Sequence, residues 1–141
     1  MNVLVKITIA FILGFTALPV NAQETFSITV KVENAENNKG QLFMALYNSE
    51  STFLNQTYAG KKSPIVNNGC EVIFTNIPQG VYAVSIFHDQ NDNGKMDSNF
   101  MGIPKEDYGC SNNAKGFMGP PKWEDAKFEL KAKNETITII L

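Results

Sequence analysis

The chain has 141 residues, room for one domain, and its 43% hydrophobic and 18% charged composition excludes both a disordered chain and a multi-span membrane bundle. The formal net charge is −2 and all 12 basic residues are lysines, so there is neither the basic footprint of a nucleic-acid binder nor the bidentate Arg fork suited to phosphate. A single His excludes a multi-His metal centre.

Met1 to Lys6 carries one positive charge, and Ile7 to Val20 follows with none. Val20-Asn21-Ala22 then offers small or modest residues for a signal peptidase. The apolar run is shorter than the ~20 residues a span requires. We therefore expect residues 1–22 to be a cleaved signal peptide and 23–141 to form one exported domain, periplasmic or extracellular, with no membrane insertion of the mature chain.

The mature chain reads as strands. Phe26, Ile28, Val30 and Val32 alternate with polar residues, the period of a half-buried strand. Leu42 to Tyr47 is apolar on both faces. Asn48-Ser49-Glu50 is placed to cap a short helical turn carrying Phe53 and Leu54. Lys61 to Val66 suits an edge strand that tolerates Pro64, and Asn67-Asn68-Gly69 is a hairpin signal. Val72 and Phe74 mark the next strand, and Val81 to Phe87 has the apolar character of a central one. Phe128 to Leu130 and Thr136 to Leu141 complete a set of about seven strands, and the expected fold is an all-β antiparallel sandwich of the Ig-like or prealbumin-like kind.

Between the central strand and Trp123 lies a loop of roughly 30 residues, a length that is usually functional. It opens Asp89-Gln90-Asn91-Asp92-Asn93-Gly94-Lys95-Met96-Asp97. Side-chain oxygens fall at positions 1, 3, 5 and 9 and Gly at position 6, the ligand spacing of an EF-hand-type calcium loop. Calcium takes six to eight oxygens at roughly 2.3–2.6 Å. Asp89, Asn91, Asn93 and Asp97 are the expected side-chain ligands, with Lys95 offering only its backbone carbonyl. Position 12 is Phe100 rather than Glu. The missing ligand must therefore be borrowed, from Glu106 in the first place, with Asp107 and Asn99 as the other candidates. The competing reading is an Asx-rich turn without metal, since Asn, Asp and Gly dominate turns anyway.

His88 directly precedes the loop. We expect it to fix the strand-to-loop junction and so to support the ligands, rather than to act as a base or zinc ligand. Cys70 and Cys110 are the only cysteines. In an exported chain they either form a bridge, worth about 4 kcal/mol by loop entropy, or remain two buried thiols. Tyr108 and Trp123 are candidates for an exposed ligand platform.

The ordered set His88-Asp89, Asn91, Asn93-Gly94, Asp97, Gly102-Ile103-Pro104-Lys105-Glu106, Tyr108-Gly109, Ser111-Asn112 and Gly119-Pro120 resembles the uncharacterised bacterial exported family known as domain of unknown function 2141. Ile77-Pro78-Gln79-Gly80-Val81-Tyr82-Ala83 upstream belongs to the same resemblance, which covers nearly all of the mature chain. It implies an exported β-sandwich and no particular activity. The Pro78–Tyr82 segment is similar to carboxypeptidase-regulatory-like and other prealbumin-like sandwich domains. The Asp89–Asp97 run resembles calcium loops of bacterial adhesin repeats, from which Phe100 departs. The functional expectation is a non-catalytic binding or accessory module of the cell envelope, with calcium in its loop and an envelope protein or glycan as partner. The alternative is an envelope hydrolase, glycosidase-like, using the loop carboxylates and His88.

Overall fold

The computed structural model describes residues 22–141, so the signal peptide expected at residues 1–22 lies outside it apart from Ala22. Strands run in chain order as β1 (Thr25–Glu33), β2 (Gln41–Tyr47), β3 (Ala59–Pro64), β4 (Cys70–Pro78), β5 (Gly80–Asp89), β6 (Tyr108–Cys110), β7 (Phe128–Leu130) and β8 (Glu135–Ile140). One helical turn, α1 (Trp123–Ala126), precedes β7. No helix among the described residues is long and apolar enough to cross a membrane.

Two sheets pack face to face. One has the order β4-β1-β8, the other β3-β2-β5-β6 with β7 on the first residues of β5. The alternation of β1 turns Ile28, Val30 and Val32 inward, where they are fully buried or nearly so. They meet Leu42, Met44 and Leu46 of β2 and Val84 and Ile86 of β5 in one core, closed by Phe74 and Ile139. The β1–β4, β2–β3 and β2–β5 pairs are antiparallel as expected, but β8 runs parallel to β1, with Ile28 opposite Glu135 and Val32 opposite Ile139. The sandwich is therefore mixed rather than wholly antiparallel.

The five-stranded sheet is apolar on its outer face as well, which is why Leu42 to Tyr47 shows no alternation. A second cluster of Tyr47, Phe53, Ala83, Cys110, Trp123 and Ala126 covers half of that face. Phe53 follows a 3₁₀ turn at Glu50–Thr52 and stacks edge-on between Tyr47 and Trp123. The Asn67–Asn68 turn has both central residues at positive φ, 53° and 59°, closed by the Val66–Gly69 bridge. Lys61, Lys62 and Pro64 line the free edge of β3 and discourage further strand pairing there.

A glycine sets the site's position. Gly40 begins the return into β2 at φ +66°, and a Cβ there would lie 1.8 Å from the Asp89 carbonyl oxygen. Only glycine lets the β1–β2 turn lie against the end of β5.

Candidate functional site

Strand β5 delivers Asp89 to the loop with its side chain 1% exposed, opposite Gln41 of β2. The carboxylate caps the turn that follows: Oδ1 accepts the Asn93 N–H at 3.1 Å and Oδ2 the Gly94 N–H at 2.8 Å. Gly94, at φ +76°, makes that close return possible. Asn91 Oδ1 accepts the Asn93 N–H at 3.1 Å, and Asn93 Oδ1 accepts the Lys95 N–H at 2.8 Å. The alternate oxygen-bearing residues thus wind a tight turn of successive Asx bonds.

Asp97 closes the turn from the far side. Its Oδ2 accepts from Asn91 Nδ2 at 2.7 Å and its Oδ1 from Asn93 Nδ2 at 2.9 Å. These amide donors, Asn93 first, hold its carboxyl below the usual carboxylate range. Glu106 ties the assembly together from downstream. Its Oε1 accepts the Gln90 N–H at 3.1 Å and its Oε2 the Asp97 N–H at 3.0 Å, and the side chain is buried. Glu106 therefore bridges positions 2 and 9 of the loop, while Lys105 N–H adds a bond to the Asp97 carbonyl at 2.8 Å. Asn99 forms its own turn, Oδ1 accepting from the Met101 and Ile103 N–H groups, and so stays apart from this cluster. Asp107 is exposed and contributes its carbonyl to His88.

The donor set suits a hard cation. It offers carboxylate and amide oxygens, and an ionised carboxylate accepting one N–H per oxygen keeps further lone pairs. Among the described residues no three His, Cys, Asp or Glu side chains gather as a metal-ligand group. Any ion would therefore depend on the Asn oxygens and on backbone carbonyls such as that of Lys95.

His88 is fully buried. Its N–H donates to the Asp107 carbonyl at 2.9 Å, and its ring Nε2 donates to the Lys39 carbonyl at 2.7 Å. It clasps the end of β5 to both the loop's return and the β1–β2 turn. Ring Nδ1 is buried with no hydrogen-bond partner. The ring faces no solvent, a poor position for a base.

One candidate is corrected and one open alternative is decided. Trp123 is not an exposed platform: it is 8% exposed and packs against Phe53 in the second cluster, because the outer face of the sheet needs an apolar cover there. Cys70 and Cys110 form no bridge. Both thiols are free, Cys70 at the start of β4 against the main core and Cys110 on the outer side of the other sheet in the second cluster. Burial pushes the Cys110 thiol up to about 11 and raises Cys70 as well.

Tyr108, 43% exposed, does line an open site. It borders a groove of about 1200 Å³ on the uncovered half of the five-stranded sheet, with Phe43, Ala45 and Phe87 as its floor. The sequence shows Met101, Ile103, Tyr108, Phe117 and Met118 as apolar residues able to gather in the loop, but not that Phe43, Ala45 and Phe87 form an open floor beside them.

The family model described as "Uncharacterized protein conserved in bacteria (DUF2141)" matches residues 30–138, from β1 through most of β8. The chain belongs to this family. The match takes in strands of both sheets, the Asp89–Glu106 assembly and the residues that line the groove, and the matched domain is β-rich. No curated protein and no solved structure matches the chain.

Proposed function

We propose that this DUF2141 protein is a non-catalytic binding module of the bacterial cell envelope, exported by its N-terminal segment, whose Asp89–Glu106 loop takes up a calcium ion. The observation that carries the reading is the turn itself. Oxygen-bearing side chains at positions 1, 3, 5 and 9 are wound together round Gly94, and Glu106 is anchored to the same turn from outside. Asp89, Asn91, Asn93, Asp97, the Lys95 carbonyl and Glu106 are the ligands we assign. An ion between Asp89 and Asp97 replaces the two Asn amide bonds to Asp97. That exchange limits the gain and places the affinity in the weak range of extracellular modules, about 10⁻⁴–10⁻³ M. The partner we assign to the module is an envelope protein or glycan. Burial of both His88 and Asp89 weighs against a hydrolase built on them.

Thermal melting in about 5 mM calcium and in chelator tests the cation. At tenfold excess over Kd the gain is about 1.4 kcal/mol, a rise of roughly 5 °C for a domain of this size. Asp97→Asn, at a half-buried position whose loss leaves the core intact, is expected to abolish most of the shift, and Asp89→Ala all of it. Superimposable melting curves together with a flat calorimetric titration overturn the assignment.

A further inference from the structure

The groove beside the loop has the chemistry of a binding site in its own right. Its floor is a flat apolar surface: the Phe43 and Phe87 rings stack with centroids 5.0 Å apart and planes 12° apart, and Ala45 lies next to them. One wall is the Asn99-centred turn, which presents Met101 at 65% exposure and Ile103 at 53%. The other is the Gly116–Pro121 segment, with Met118 at 95% exposure. Large apolar side chains left this open, and gathered round one concavity, mark a surface that is covered when the protein works.

The charges of the lining are one-sided. Among the described residues no acidic side chain borders the groove, and the charged ones that do are Lys61 and Lys62 on the edge strand β3. Among the described residues neither is in a salt bridge; the paired lysines are Lys31, Lys127, Lys131 and Lys133. Lys61 extends toward Phe74 of the main core, 5.8 Å from its ring centroid, but Lys62 reaches over the floor, 5.9 Å from the Phe43 centroid. The strand register puts Lys62, Phe43, Phe87 and Tyr108 in one row across β3, β2, β5 and β6. Three interstrand steps make this row about 14 Å long. It has a cation at one end, aromatic faces in the middle and the half-exposed Tyr108 at the other.

We propose that the groove binds a single-chain anionic amphiphile of the long-chain carboxylate class, with the carboxylate at Lys62 and the hydrocarbon chain laid along the Phe43–Phe87 floor toward Tyr108. A peptide fits less well. It brings a row of backbone donors and acceptors, and the floor's hydroxyls, Tyr47 and Ser85, are already bonded to each other at 3.1 Å. A flat bilayer cannot reach a floor that lies between two walls. Methionine side chains on both walls adapt to chains of differing length and unsaturation. The site does not depend on the calcium assignment, because the Asn99 turn is held by its own hydrogen bonds.

Calorimetric titration of the mature protein with dodecanoate, below its micellar concentration and in chelator, tests the proposal. Chelator prevents precipitation of the calcium salt and makes the outcome independent of the loop's ion. We expect saturable binding near one equivalent. Lys62→Glu is expected to weaken dodecanoate about tenfold, the effect of losing one charge-assisted contact, while leaving dodecyltrimethylammonium binding as strong or stronger. Met118→Asp, at a fully solvated position that folding does not need, is expected to weaken both probes. Absence of dodecanoate binding overturns the proposal, as does equal binding by the wild type and Lys62→Glu. Binding to anionic phospholipid vesicles without binding of monomeric dodecanoate overturns it in favour of a membrane surface. Displacement of dodecanoate by an uncharged apolar peptide of comparable affinity overturns it in favour of a peptide groove.

Discussion

Glu106 joins two backbone amides that lie seven residues apart in the loop, Gln90 and Asp97, while being buried itself. Removing it leaves both N–H groups without a protein acceptor, a cost of about 1–3 kcal/mol. We expect Glu106→Ala to lower the urea midpoint accordingly even in chelator, which separates its bracing role from any role toward an ion. Cys110 supplies a pH dependence. Its buried thiol keeps its proton up to about 11, whereas an exposed thiol ionises near 9.0. Between those values the unfolded chain binds fewer protons than the folded one, so stability falls as pH rises; below 9.0 the contribution is fully present. Urea midpoints measured from about pH 8.5 to 10.5 are expected to fall less steeply in Cys110→Ala than in the wild type. Because both thiols are free, alkylation of the denatured protein without reductant is expected to label two sites.

The short elements between β5 and β7 show what one sequence discloses and what it conceals. Strand β5 announced itself by composition, and the turn at Asn67–Asn68 by its residue types. Strand β6 did not. Tyr108-Gly109-Cys110 is too short to show a period, and its pairing with Ser85 to Phe87 is a property of the sheet rather than of the segment. The oxygen spacing of Asp89 to Asp97 was legible, and so was Glu106 as the residue that returns to it. The Trp123 and Cys110 environments were not, because both depend on which face of the five-stranded sheet α1 covers. Ser111 illustrates the same point. Its hydroxyl accepts from Val84 N–H and donates to the Ala126 carbonyl, fastening α1 to β5, yet nothing local marks it out. Trp123→Ala removes the largest member of the outer cluster and is expected to cost about 3–5 kcal/mol. Chemical denaturation should show this loss, together with faster alkylation of Cys110 in the native state.

At the scale of the molecule, the parallel pairing of β1 with β8 joins segments more than 100 residues apart and completes the three-stranded sheet. Ile139 is the buried centre of that contact and touches both sheets, lying opposite Val32 and against Gly109. Ile139→Ala is expected to cost about 2–5 kcal/mol and to broaden or abolish the cooperative melting transition. The same pairing has a consequence in time. Strand β1 has β4 on one side, but its other side stays bare until β8 has been made, so the main core cannot close before residues 135–140 have been synthesised. Pairing across so long an interval is also slow, in the range of milliseconds to seconds for β-rich domains. Until β8 is available the chain before it lacks the pairing that closes its main core, and that unclosed state is what the export proposed above requires of a polypeptide passing through a narrow channel.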